Sequence, residues 1–244
     1  MKMQRNNGVA LWSQIASQLA EDIQNGMHQA GGRLPTEAQL ADAYGVNRHT
    51  IRRALDELNE ARIIRTEHGR GSFVAEDVLD YRIGRRPRFS EWVRGHNMTP
   101  IGEMLELRQL ALSDLPEAGP AGEALGLTAA DQVVLLERVG SADDRPVALS
   151  RHIFPALPGL IAALRANGSI TAALAQAGVP DFFRRWTKVC ARLPDAREAK
   201  LLRMAHTDPL LATETLNATE SGQLTEYGIA CYPAPRVQLV FEQP

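Results

Sequence analysis

Apolar residues recur every fourth position at Leu11, Ile15, Leu19 and Ile23, with Ser, Gln, Glu and Asp between them. That spacing predicts an amphipathic helix, ended at Gly26. After the turn "GGRLP", Thr36 opens a second, short helix, with Gln39 at the spacing of a capping box and Gly45 as its left-handed stop. Asn47 caps a third, "NRHTIRRALDELNEA", whose Ile51, Leu55 and Leu58 share a face. Two β-prone runs, "RIIR" and "SFVA", follow, and Gly69 and Gly71 make the joint between them a tight hairpin.

Beyond residue 78 the pattern changes to β-like runs at 102–112, 132–141, 146–155, 183–193, 210–218, 224–232 and 236–242. Helical stretches near 119–126, 157–166, 170–178 and 195–204 separate some of them, and "SADDRP" and "ATESGQ" are hairpin-type turns. Strands in sequential runs with helices interspersed predict an antiparallel α+β domain rather than a doubly wound sheet. "EDVLDYR" reads as the polar connection between the two halves.

Composition narrows the partners. The net charge is −2, so any nucleic-acid contact must come from a local patch. All basic residues but Lys2, Lys188 and Lys200 are arginine, which suits bidentate contacts. Cys190 and Cys231 lack metal-site spacing and read as reduced thiols. No apolar run reaches membrane-spanning length and no signal peptide is visible, so a cytoplasmic protein with no membrane partner is expected.

The first half carries a specific spacing. Ala41, Gly45 and Ile51 give close helix approach, a turn and a core anchor, which is the helix-turn-helix arrangement. On the third helix Arg48 and Arg52 lie four apart near the N-terminal end, flanked by His49, Thr50 and Arg53. A recognition helix needs arginine there to bond guanine edges in the major groove. The hairpin behind it reads as a wing, with Arg70 and the glycine amides near phosphates. The alternative is a small helical domain with a solvated basic face.

The run "GGRLPTEAQLADAYGVNRHTIRRALDELNEARIIRTEHGRGSFVA" resembles the winged-helix domain of the GntR family of bacterial repressors. The resemblance implies that Arg48 and Arg52 read bases and that Arg33, Thr36 and Thr50 meet phosphates or bases. It makes Gly69 the wing tip in the minor groove, and Asn47 stands where the family has serine or threonine. Arg53 either adds a backbone contact or is solvated. The family binds DNA as homodimers, so a pseudo-palindromic double-stranded operator is expected, with half-sites about one turn apart.

The second half resembles the UTRA effector domain of the HutC subfamily, a chorismate-lyase-like fold, through "LLERVGSADDRPVALSRHIFP" and "TEYGIACYPAPRVQLVFE". Expected boundaries are 9–76 for the winged helix-turn-helix domain, 77–98 for a linker and the start of the effector pocket, and 99–242 for the UTRA domain. "RIGRRPRFSE" (82–91) then falls where such domains begin. With "FFRRWTKVCARLPD" it resembles the branch of the subfamily that controls phosphonate metabolism.

Arginine forks and a helix start suit a small anionic effector, a phosphonate or phosphorylated metabolite. Arg85, Arg88, Phe89 and Ser90 are therefore pocket candidates. Contact with DNA backbone from the linker, or a solvated cluster or dimer contact, stay open for the same run. The resemblance adds Arg138 as the anion's partner, Ser150 where sugar-phosphate-binding relatives carry glutamate, and Ser169 and Thr171 at a helix start. It also adds Glu226 and Tyr232 from the last motif. Arg184 and Arg185 alternate on a strand, so at most one faces the pocket.

No nucleophile, metal or nucleotide motif of an enzyme is present, and no cofactor is implied. A regulator of amino-sugar, histidine or fatty-acid metabolism is the alternative within the subfamily. An enzyme of chorismate-lyase-like fold is the remote one.

Overall fold

The computed structural model describes residues 10–61, 63–67, 69–75, 78–86, 89–96 and 98–241, apart from the side chains at 67, 90, 91 and 167. The chain divides into two compact units, residues 1–77 and 78–244.

The first unit holds helices α1 (Leu11–Gln24), α2 (Glu37–Tyr44) and α3 (Arg48–Glu60) and the antiparallel hairpin β1 (Ile64–Glu67) with β2 (Gly71–Val74). Both expected caps form. Thr36 accepts from the Gln39 amide while Gln39 reaches back to the Thr36 amide, and Asn47 accepts from the Thr50 amide at 2.8 Å. Each such cap stabilises its helix by about 1 kcal/mol. Gly45 turns between α2 and α3 at φ +67°, a left-handed conformation that a side chain would strain. Ile15 and Leu19 from α1 meet Ile51, Ala54, Leu55 and Leu58 from α3 in one core, sealed by Leu34, Leu40, Ile64 and Val74. Burying a side chain such as Ile51, which is fully enclosed, contributes about 1.5–3 kcal/mol.

The second unit is built on six antiparallel strands in the spatial order β4-β5-β6-β9-β8-β7. Their ranges are β4 (Pro100–Ala111), β5 (Gln132–Ala142), β6 (Arg145–Pro155), β7 (Phe183–Arg192), β8 (Leu210–Ala218) and β9 (Leu224–Pro233). Side chains alternate between faces. On one face Val133, Leu135, Ile153, Leu216 and Tyr227 pack under α5 (Ala118–Leu125), and Leu149, Ala212 and Cys231 pack near α8 (Ala196–Leu201). On the other, Val134, Leu136 and Phe154 pack under α6 (Leu160–Asn167) and α7 (Ile170–Gln176). The open ground between α7 and the sheet becomes the cavity described below.

The connection expected at 77–98 is partly regular structure. Residues Leu79–Arg82 form β3, which pairs in parallel with β10 (Val237–Val240), and Phe89–Gly95 form helix α4. The parallel pair is an addition to the expected antiparallel sheet. Its alternation is short: Leu79 and Tyr81 are buried while Asp80 and Arg82 face outward, so "LDYR" looks polar in sequence.

Candidate functional site

Two surfaces collect the candidate residues, one in each unit. In the first, α3 displays Arg48, His49, Arg52 and Arg53 on its exposed side. The arginines are not equivalent. Arg52 holds Glu37 of α2 with two hydrogen bonds, Nη2 to Oε2 at 2.9 Å and Nε to Oε1 at 3.2 Å. The hydrogen bond to Arg52 holds the Glu37 carboxyl below its usual range, against the opposing effect of burial. Arg53 turns the other way and stacks its guanidinium 4.6 Å from the Trp12 ring. Of the α3 arginines, Arg48 is left as the one with no such intramolecular partner among the described residues.

Thr36, Asn47 and Thr50 are occupied locally. The Thr36 and Asn47 side chains cap α2 and α3, and the Thr50 hydroxyl donates to Asn47 Oδ1 at 3.0 Å. In the wing, the Arg33 backbone bridges to Phe73, and the Arg33 guanidinium lies about 3.1 Å from where a Cβ at Gly71 would stand. Arg65 and Arg70 flank the same Phe73 ring at 5.0 and 5.9 Å. Gly69 sits at the tip with φ +74° and open space around its Cα.

In the second unit the sheet face under α7 encloses a cavity of about 510 Å³. Eight of the twelve expected effector residues line it: Phe89, Arg138, Ser150, Ser169, Thr171, Arg184, Glu226 and Tyr232. Sheet register explains the grouping. Arg138, Ser150, Ala230 and Thr213 form one row across β5, β6, β9 and β8. Glu226, Asn217 and Arg184 form another across β9, β8 and β7.

Arg138 is one of the cavity's three cations among the described residues, with Arg94 and Arg184. Burial pushes the Arg138 guanidinium pKa down, and among the described residues its side chain makes one hydrogen bond, a 3.3 Å contact to the Gly168 carbonyl. No carboxylate pairs with it among the described residues. Its position depends on Gly102, its near neighbour on β4, because a Cβ there would overlap the guanidinium. Gly140, the register partner of Gly102, is cleared in the same way for the Phe89 ring.

Glu226 anchors the opposite side of the cavity. It is 5 % exposed, takes a 2.8 Å hydrogen bond from Asn217 Nδ2 and meets His152 Nδ1 at 2.5 Å. Burial alone would raise its pKa, but His152, Asn217 and Arg184 together hold it below the usual carboxylate range. Gly228 keeps the path open, since a Cβ there would press on Glu226 Oε1 and Thr215 Oγ1. Tyr232 closes one wall in an aromatic group with Tyr81 and Trp92, and burial pushes its hydroxyl pKa up.

Of Arg85 and Arg88, the arginines of the run expected at the cavity, only Arg85 can be placed, and it does not line the cavity. Arg85 faces away from the cavity, its guanidinium 4.6 Å from the Phe183 ring and 3.9 Å from Glu220, because its carbonyl turns inward to accept from the Arg184 amide. Arg86 pairs with Asp181 at 2.6 Å. Arg88 and the Ser90 side chain lie outside the described residues. Arg184 faces the cavity and Arg185 is exposed at a bulge in β7, which breaks the alternation so that Trp186 packs on the opposite face of the sheet. Arg184 donates to the Gly84 carbonyl at 3.4 Å, and its Nε has no partner among the described residues.

Sequence reasoning missed Arg94, His152, Thr213, Thr215 and Asn217, which also line the cavity. His152 was within reach of it: two residues beyond Ser150 on one strand, it must share that face. Among the described residues, no group of acidic, histidine or cysteine side chains is arranged to hold a metal, and no helix is long and apolar enough to cross a membrane.

Comparison with known proteins agrees with this division. The pattern described as bacterial regulatory proteins of the gntR family matches residues 11–74, and that of the UTRA domain matches residues 102–238. An uncharacterised HTH-type transcriptional regulator, RB1450 of Rhizobium meliloti (strain 1021), is 35 % identical over 98 % of this chain and 98 % of its own. The probable transcriptional regulator PhnF of Escherichia coli (strain K12) is 29 % identical over 95 % and 94 %. The crystal structure of PhnF from Mycobacterium smegmatis shares the fold, with a TM-score of 0.62 at 24 % identity over 94 % of this chain and 99 % of that one. The chain thus belongs to the GntR family of bacterial regulators, in its UTRA-bearing HutC group, and is a DNA-binding transcriptional regulator rather than an enzyme.

Proposed function

We propose that the protein is a homodimeric repressor of a catabolic operon for phosphonate utilisation, released from or brought to its operator by a small oxyanion held at Arg138. The observation that carries this reading is Arg138 itself: a half-buried guanidinium, partly desolvated in the cavity wall, whose one hydrogen-bond partner among the described residues is a carbonyl. A partly desolvated cation without a counter-charge is costly, and a bidentate oxyanion is the partner its fork fits. The likeness to PhnF supports phosphonate as the class. Arg48 on α3 serves as the principal base reader, and a two-fold dimer doubles the contacts of each short helix. Effector binding would shift the population between dimer arrangements that do and do not match the half-site spacing.

The test is an electrophoretic shift of the promoter fragment beside the gene, titrated with methylphosphonate, glycerol phosphate and an amino-sugar phosphate. A change of operator affinity with the phosphonate alone supports the assignment. A response only to the sugar phosphate moves the operon to amino-sugar metabolism, and a response to neither removes the oxyanion reading.

A further inference from the structure

A chain of hydrogen bonds crosses the cavity floor and ends beside Arg138. Asn217 Nδ2 donates to Glu226 Oε2, Glu226 Oε1 faces His152 Nδ1 at 2.5 Å, and His152 Nε2 faces Ser150 Oγ at 2.9 Å. Ser150 is the register partner of Arg138 and shares its face of the sheet.

Each link sets the next. An ionised carboxylate only accepts, so the hydrogen between Glu226 and the imidazole sits on Nδ1. The same carboxylate turns the Asn217 amide so that its nitrogen points inward. His152 Nε2 is then the one atom whose role varies. In a neutral imidazole it accepts, which uses the single hydroxyl hydrogen of Ser150 and leaves Oγ showing lone pairs to the cavity. In an imidazolium it donates to Oγ, and the Ser150 hydroxyl is free to donate into the cavity. An oxyanion beside Arg138 only accepts, so it is served by the second state and opposed by the first.

We propose that His152 is a specificity-determining positioning residue, which takes up a proton when a fully ionised tetrahedral oxyanion binds and so turns Ser150 into a donor towards it. The idea rests on the reading of Arg138 as the oxyanion's partner. The charged groups around His152 are Glu226 on β9, Arg138 on β5, Arg184 on β7 and Arg94 on α4. The residues of α7 that line the cavity carry no charge, and the Phe154 ring lies parallel to the imidazole at 6.1 Å. No neighbouring side chain other than Glu226 and Ser150 bonds to the ring among the described residues. Histidine is the side-chain type whose charge changes most readily, which suits it to a switch between accepting and donating at one atom.

Sulfate is the probe, because it stays dianionic across the range and any pH dependence belongs to the protein. Isothermal titration of the full chain with sulfate, from about pH 5.5 to about pH 8, should show affinity falling by up to about tenfold per pH unit as His152 deprotonates. His152→Gln and Ser150→Ala should each flatten that slope. Ser150→Ala leaves the His152–Glu226 pair in place, so it answers the question even if His152→Gln fails to fold. Arg138→Ala should abolish binding at every pH. If sulfate does not saturate the wild-type protein, the Arg138 reading falls and takes this one with it. If sulfate binds but its affinity is flat with pH, or the slope persists in both variants, the role of His152 alone is overturned.

Discussion

Arg52 and Glu37 join α3 to α2 through a two-point ion pair on the exposed face of the helix-turn-helix. A side chain expected to read bases is therefore held by its own domain before DNA arrives. To reach a guanine edge it must exchange one planar, two-point partner for another. The exchange is conservative in geometry, because guanine presents two acceptors much as a carboxylate does.

Glu37→Gln should raise operator affinity several-fold, because it loosens the hold on Arg52 and removes a negative charge from the face that meets phosphate. Arg52→Ala should lower it on the order of tenfold to a hundredfold. Fluorescence anisotropy with a labelled operator at fixed salt measures both. Equal loss in the two variants would mean that the ion pair builds the face rather than restrains it.

Arg48→Ala should cost specific binding on the order of tenfold to a hundredfold and relax base preference at one position in each half-site. Substitution of Arg70 should instead weaken all sequences alike and lower the salt dependence, as expected of a wing arginine meeting phosphate. Competition between operator and unrelated duplex separates the two effects.

Gly102→Ala should expel the Arg138 guanidinium from its place and lower oxyanion affinity by about tenfold or more while the fold persists, since β4 is an edge strand with room to bow. Gly102→Ala that binds sulfate as the wild type does would show that the guanidinium has a second productive position.

Arg85→Ala combined with Arg86→Ala should leave sulfate affinity within about twofold, since both side chains are spent on exposed ion pairs of small worth. Loss of sulfate binding in that double variant would return the arginine run to the pocket.

The Glu226 carboxyl gives a pH dependence of stability with a definite sign. Its folded pKa is held below the unfolded value of 4.5, so its contribution is fully present above that value and is lost as pH falls through the folded pKa. Urea midpoints should therefore decline more steeply below about pH 4.5 in the wild type than in Glu226→Gln. The variant should be the less stable of the two at pH 7, because it removes the charge and turns one of the two acceptor oxygens, used by His152 and Asn217, into an NH2 donor. Parallel curves would place the acid sensitivity in Glu198, whose carboxyl Arg192 also holds down.

What the sequence made legible follows from the range of the forces involved. Caps, turn glycines and four-residue periodicity act within a few positions, so α1, α2, α3 and the wing are visible directly. The cavity residues Arg138, Glu226 and Tyr232 were reachable through motif resemblance. His152 and Asn217 were not, because their roles arise from register across β6, β9 and β8, and the strand order that joins them is a long-range property. Arg85 misled for a related reason. A basic run reports charge, and only the direction of the backbone at residues 84–85 decides which side chain turns inward. Tetrahedral anions and DNA phosphates ask for the same arginines, so composition alone does not separate the two sites.

The pairing of β3 with β10 joins segments far apart in the chain, and sequence order dictates that the second comes after the whole of the large sheet. Asp80 and Gln238, which bond across that pair, are 158 residues apart. The winged unit and all six strands of the large sheet have left the ribosome before β10 does. Tyr81, which stands in the cavity wall against Tyr232, lies on a strand whose partner comes after all six strands of the sheet in chain order. A newly made chain can thus present a finished DNA-reading face before its ligand cavity is closed.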